Sequence, residues 1–162
     1  MRLKAMAKIN LGLDVLGKRE DGYHEVRMIM QTIRMYDILD IRKTRRPGIV
    51  LTTNLPFIPT DQRNLVYKAA QMLMEEFDVE EGLSIKLRKF IPVAAGMAGG
   101  SSDAAAAFVG VNRMFHLGLT EEQLMERAVK VGADVPYCIM RGTALAEGIG
   151  EKLTRLPEVP KC

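Results

Sequence analysis

Residues 92–107 read Pro92-Val-Ala-Ala-Gly-Met-Ala-Gly-Gly-Ser-Ser-Asp-Ala-Ala-Ala-Ala107, and this stretch decides the fold. Glycine lets a backbone take positive φ and pass close to a ligand. The alanines that follow are the strongest helix formers. A loop of this kind entering a helix presents N–H groups without intrahelical acceptors, the geometry that captures a phosphate. The composition predicts a helix beginning near Ser101 or Ser102, with Asp103 in its first turn, and ending at Phe115. Both hydroxyls would then be placed to cap the helix, contact phosphate or reach a phosphate-bound Mg²⁺. No Lys follows the glycines as in a Walker loop, and G-x-G-x-x-G is absent. Taken alone, the segment leaves open an ordinary capped helix whose Ala face packs on a sheet.

Outward from this loop the pattern is mixed. On the N-terminal side, Leu3 to Leu16 reads as a strand with Ile9, Leu11, Leu13 and Val15 on one side. Asp21-Gly22 signals a reversal. Strands are predicted over His24–Ile33, Asp37–Arg42, Ile49–Thr53 and Gly82–Lys89, and a helix over Asn64–Phe77. On the C-terminal side, Thr120-Glu-Glu-Gln123 forms a capping box for a helix ending at Val131. His116, beside Leu117-Gly118, reads as a helix C-cap. Val135–Met140 and Thr143–Glu147 read as two final strands. Strands mixed with three helices predict an α+β two-layer sandwich.

A length of 162 residues suits one domain. The net charge of +3, from 23 basic and 20 acidic residues, is too balanced to argue for nucleic acid, and Trp is absent. No apolar stretch has the length of a membrane span, and the N-terminus carries no cleavage signal, so the expected location is cytoplasmic. Two cysteines are too few for a disulfide framework or a zinc site, and Cys138 reads as a small buried hydrophobe.

Other residues also carry chemical potential. Lys8 and Asn10 fall on the same face of the first strand, where a solvated face is the plain reading. Tyr23 and His24 follow the Asp-Gly turn. Asp134 stands in Gly132-Ala-Asp-Val-Pro136, where an Asx turn or cap competes with a role accepting a proton from an alcohol.

Together, Ala7-Lys-Ile-Asn-Leu11, Asp21-Gly-Tyr-His24, the 92–107 loop, Gly132-Ala-Asp-Val-Pro136 and Thr143 to Glu151 resemble the motifs of the GHMP family of small-molecule kinases, in the same order. Met6 stands where the family often has Pro, and Met97 where it has Leu. The resemblance implies the family's ATP-binding N-terminal domain over residues 1–162, without the second domain that carries a third glycine-rich motif. It implies ATP and Mg²⁺ as cofactors, with no Mg²⁺ ligand assigned. Asp134 would take the proton of the acceptor hydroxyl, and Lys8 would hold Asp134 ionised and stabilise the transferring phosphoryl group. Pro92, Ala94, Gly96, Ala98, Gly99, Gly100, Ser101 and Ser102 would cradle the ATP phosphates, with Asn64 and Lys89 as further nucleotide contacts. Asn10, Tyr23 and His24 would contact the acceptor.

The Asp-Gly-Tyr-His turn is similar to that of the subfamily phosphorylating the 2-hydroxyl of 4-diphosphocytidyl-2-C-methyl-D-erythritol, on the non-mevalonate route to isoprenoid precursors. That implies a small-molecule, cytidyl diphosphate-linked methylerythritol substrate, no nucleic acid or membrane partner, and an apolar face open to self-association. Another GHMP kinase, acting on homoserine or mevalonate, and an inactive nucleotide-binding module are the alternatives.

Overall fold

The structure is a computed structural model and describes residues 1–18, 22 and 24–159. One sheet and one helical layer form it. The chain order is β1 (Arg2–Lys18), β2 (His24–Thr44), β3 (Ile49–Thr53), α1 (Leu65–Glu76), β4 (Gly82–Arg88), α2 (Gly99–Phe115), α3 (Glu121–Ala128), α4 (Val135–Met140), β5 (Thr143–Gly148) and β6 (Lys152–Arg155). The sheet runs β3-β4-β2-β5-β6, with β1 on the other edge of β2. Among the described residues only β3 and β4 pair in parallel.

β2 is the spine. The two strands expected over His24–Ile33 and Asp37–Arg42 are one continuous element. Their expected break marks a real irregularity. Met6 pairs with Tyr36 and Lys8 with Thr32, so β2 carries Ile33, Arg34 and Met35 against the single residue Ala7 of β1. On its other edge β2 pairs with β5 from Val26 to Gln31 and with β4 from Ile38 to Thr44. The change of partner and the bulge therefore coincide.

The helices follow from local chemistry. Asn64 caps α1 through its side-chain oxygen, which accepts from the Val66 N–H. Thr120 and Gln123 form the expected capping box on α3, which stops at Ala128 instead of Val131. His116 is the left-handed C-cap of α2. Val135–Met140, expected as a strand, is α4. A short, wholly buried apolar run cannot be assigned by periodicity, and the proline in its first turn suits a helix start. β6 had no sequence signal, because its four residues are mostly exposed and polar.

α2 lies at the centre of the core. Ala104, Ala106, Ala107, Phe108 and Val111 are buried against Met30, Leu39, Ile41 and Tyr137 of the surrounding core. Small residues let it lie close to the sheet. A Cβ on Gly110 would stand 2.5 Å from Ile41 Cδ1 and 2.6 Å from Leu3 Cδ1.

The outer half of β1 is a strand as expected, and its apolar side is not covered by the described residues. Every residue from Ile9 to Lys18 is exposed. Ile9, Leu11, Leu13, Val15 and Leu16 thus form an apolar, solvent-facing arm. The sheet face also gathers charge that the linear sequence hides. Arg2, Arg42, Lys86 and Arg88 line one depression around Asp40, which accepts from Arg2 at 2.7 Å and Arg88 at 3.0 Å.

Gly110→Val tests the seating of α2. Overpacking there should cost about 1–3 kcal/mol, lowering the urea midpoint at an unchanged m-value. An unaltered midpoint would show that α2 has slack at this crossing.

Candidate functional site

The loop from Pro92 to Ala98 leaves β4 and enters α2 through an unusual backbone. Ala94, Gly96 and Ala98 all have positive φ, at 59°, 72° and 53°. For the two alanines this conformation is sterically costly, so their surroundings must hold it. Ala98 is the N-cap of α2 and offers no side-chain bond. The helix starts at Gly99, two to three residues before the expected Ser101 or Ser102. Asp103 consequently falls beyond the first turn. The first-turn N–H groups at Gly99, Gly100 and Ser101 are the ones that helix geometry leaves without intrahelical acceptors. The helix dipole adds positive potential at the same point.

This loop borders a recess of about 670 Å³. Of the expected residues, Lys8, Asn10, Asn64, Lys89, Pro92, Ala94, Gly96, Ala98, Gly99, Gly100, Ser101 and Asp134 line it. The fold therefore brings together parts of the chain as far apart as Lys8 and Asp134.

Lys8 reaches the recess because of the β1–β2 irregularity. Its backbone N–H donates to Met97 O at 3.1 Å, tying β1 to the loop. Its buried ammonium donates to Asn10 Oδ1 at 3.1 Å and lies 3.8 Å from Asp134 Oδ2. Asp134 is the N-cap residue of α4, yet its carboxylate makes no capping bond. That carboxylate is about one-third exposed. It is free to face the recess and Lys8. The plain reading of a solvated strand face fails for Lys8, which is 5% exposed.

α4 is held in place by two links. Ser102 Oγ donates to Met6 O at 2.5 Å and lies 3.3 Å from Cys138 Sγ, joining α2, β1 and α4. Tyr137 OH donates to Gly142 O at 2.7 Å and sits 3.1 Å from Thr32 Oγ1, where β2 changes partner. Burial pushes the Tyr137 phenol and the Cys138 thiol each up to about 12.

Other expected contacts either lie off the recess or line it with their polar groups engaged by the protein. Ser102 is buried beneath the recess and its hydroxyl serves the Met6 carbonyl, so it does not line the recess. Asn64 uses its amide on Val66 N–H and Pro59 O. The Lys89 ammonium is engaged by Asp37 and Asp103. His24 is exposed opposite Lys18 and is not among the lining residues. Tyr23 lies outside the described residues. Sequence reasoning missed Arg63, whose exposed guanidinium pairs with Asp61 on the recess wall. It also missed Asp37, which no motif marks.

The arrangement suits a polyphosphate beside a hydroxyl. Unpaired amides and a buried ammonium meet the negative charge, and a carboxylate stands where a proton can be accepted. Among the described residues no cluster of three His, Cys, Asp or Glu is placed to hold a metal. Nor is any helix there long and apolar enough to cross a membrane.

Comparison with known proteins adds an independent line. Residues 64–142 match the family described as GHMP kinases N terminal domain. The chain is 57% identical over its whole length to the 4-diphosphocytidyl-2-C-methyl-D-erythritol kinase of Lachnospira eligens, covering 56% of that protein. It is 58% identical over 160 residues to the protein of that name from Lachnoclostridium phytofermentans, covering 55% of it. A crystal structure of 4-(cytidine 5'-diphospho)-2C-methyl-D-erythritol kinase superposes with a TM-score of 0.84 at 35% identity, over 96% of this chain and 55% of that one. The mevalonate kinase of Methanococcus jannaschii shares the fold, with a TM-score of 0.74 at 15% identity over 97% of this chain and 56% of that one. The chain thus spans a little over half the length of the curated relatives it matches.

The buried thiol offers a check on the α2–α4 seam. In native protein Cys138 should react with iodoacetamide roughly a thousandfold more slowly than in denaturant, since the thiolate is the nucleophile. Peptide mass spectrometry reads this residue separately from Cys162. Native labelling at the denatured rate would contradict the seam.

Proposed function

We propose that this chain, which belongs to the GHMP kinase family, binds ATP and takes part in phosphorylating the 2-hydroxyl of 4-diphosphocytidyl-2-C-methyl-D-erythritol. The complete reaction is proposed for a protein of the relatives' length, in which residues 1–162 form the N-terminal, ATP-binding domain. The apolar arm from Ile9 to Leu16 would give the remaining domain a surface to pack on, with a second copy of the chain as the competing occupant.

The observation that carries this reading is the approach of Lys8 to Asp134 at 3.8 Å on the edge of a loop with free helix-start amides. Phosphoryl transfer needs chiefly positioning and neutralisation of charge on the phosphoryl oxygens. The amides of Gly99, Gly100 and Ser101 would receive ATP phosphates. Lys8 would face the oxygens of the group in transfer, and Asp134 would orient the acceptor hydroxyl and receive its proton. Asn10, which accepts from Lys8, would fix the ammonium and border the acceptor. Mg²⁺ bound with ATP would supply further charge neutralisation, and no residue here is assigned to it. His24 and Tyr23 remain proposed cytidine contacts, supported by the Asp-Gly-Tyr-His turn.

Phosphorus NMR on protein supplied with Mg·ATP and the cytidyl substrate tests the reading. This chain and its extension by the remaining sequence of the Lachnospira eligens relative should be assayed side by side. We expect a new phosphate ester from the extended protein. Asp134→Ala should lower kcat and kcat/KM together by about 10²–10⁴-fold, with ATP affinity little changed. Phosphorylation of homoserine or mevalonate instead would transfer the chain to another branch of the family. ATP binding without turnover in either protein would make it a nucleotide-binding module.

A further inference from the structure

Beneath the phosphate recess lies a buried ionic cluster that the chemistry above does not use. Lys89, just past β4, directs Nζ to Asp37 of β2 and, at 2.6 Å, to Asp103 of α2. All three side chains are 5% exposed or less. The second Asp37 oxygen accepts the backbone N–H groups of Phe90 at 2.5 Å and Ile91 at 2.8 Å. Asp103 Oδ1 is buried without a partner among the described residues. A Cβ on Gly99 would lie 3.1 Å from Lys89 Nζ, so the ammonium sits directly under the helix start.

Burying three ionisable groups costs several kcal/mol per ion, and well-packed apolar side chains often serve stability as well. Their placement suggests another account. Asp37 holds the chain where it leaves β4, and Lys89 holds α2 through Asp103. The segment between these two points is the loop with three positive-φ residues, two of them alanines. Such a conformation persists only where the surroundings over-determine it.

We propose that Lys89, Asp37 and Asp103 are positioning residues that clamp both ends of the glycine-rich loop and hold it open for a polyphosphate before any ligand arrives. The proposal rests on reading that loop as a phosphate site. It also reassigns Lys89 from nucleotide contact to support.

The cluster has an electrostatic consequence. Burial, with some help from the Asp37 charge, pushes the Asp103 carboxyl up to about 8. Burial draws Lys89 down, but its interactions with Asp103 and Asp37 outweigh it and hold the ammonium above its ordinary range. Burial therefore favours the neutral form of the Asp103 carboxyl near neutral pH. Above about pH 8 the cluster gains a negative charge under the helix start. Among the described residues the other charged groups facing the recess are Lys8 of β1, Asp134 before α4 and Arg63 before α1.

Two measurements on the purified chain decide the matter. Amide hydrogen exchange over residues 92–98, without nucleotide, reads the loop directly. Calorimetric titration with Mg·ATP near pH 7 and near pH 9 reads its reception of phosphate. The second pKa of a phosphate is about 6, so the ligand does not change charge in that interval. Lys89→Met should speed loop exchange and weaken Mg·ATP, each by roughly tenfold or more, and Lys89→Arg should restore most of both.

Wild-type affinity should fall between the two pH values, and Asp103→Asn, which cannot ionise, should lose that fall. Should Lys89→Met fail to fold, loop exchange in Asp37→Asn, which loses part of the hold on Phe90 and Ile91, decides. Unchanged loop exchange in the folded variant would overturn the proposal. A wild-type chain that binds no Mg·ATP at either pH overturns the nucleotide reading, and loop exchange then decides the clamp alone.

Discussion

One edge of a β-strand can carry only one ladder at a time, and the site depends on how β2 meets that limit. Its edge bonds to β5 up to Gln31 and to β4 from Ile38 onward. Between them the two partner strands diverge, and neither can fill the gap. The backbone polar groups there still need partners. Thr32 N–H donates to Gly142 O, while Asp37 takes up the amides of Phe90 and Ile91. On the opposite edge the same stretch bulges against β1. Lys8 of β1 and the exit of β4 toward the loop, both of which contribute to the recess, lie beside this discontinuity.

The loop is a second consequence. Once β4 is turned away at Asp37, its chain must cross to the start of α2, and it does so through Ala94, Gly96 and Ala98 in left-handed conformations. The helix it enters cannot shift to relieve strain, because Gly110 and the alanines lock α2 against β1 and β2. An uncapped helix start is normally a weakness. Here, the missing side-chain cap at Ala98 leaves the first-turn amides available to an anion. The backbone bond from Lys8 to Met97 O fixes this loop against the strand that supplies the ammonium. Strand irregularity, loop strain and open amides are thus parts of one construction.

Motifs with a local mechanism were legible in the sequence. The capping box at Thr120, the Asn64 start of α1, the His116 stop of α2 and the glycine-rich entry to α2 all act through neighbours within a few residues. The α+β class followed from their order. What failed depends on distant contacts. Val135–Met140 is apolar throughout, so its pattern held no period to separate helix from strand. Asp37 looks like any acidic residue before a strand, and only the exit of β4 gives it a role. Ser102 resembles a phosphate contact until the bulk of β1 is laid over it. Lys8 and Asp134 each carried a bland local reading. Their approach across the chain separates them from it.

The exposed arm brings the site and the rest of the protein's surface into one problem. Among the described residues outer β1 is an edge strand, and an open edge with exposed Ile, Leu and Val side chains would be a pairing hazard if left in water. Asn10 stands at the root of this arm and also lines the recess. A body that covers Ile9 and Leu11 must therefore approach the open side of the Lys8–Asp134 pair. Exclusion of water from that pair would strengthen every electrostatic interaction made there. Any surface that buries the arm would accordingly also border the recess at Asn10. The residue through which the two are coupled is Asn10, whose side chain already accepts from the Lys8 ammonium.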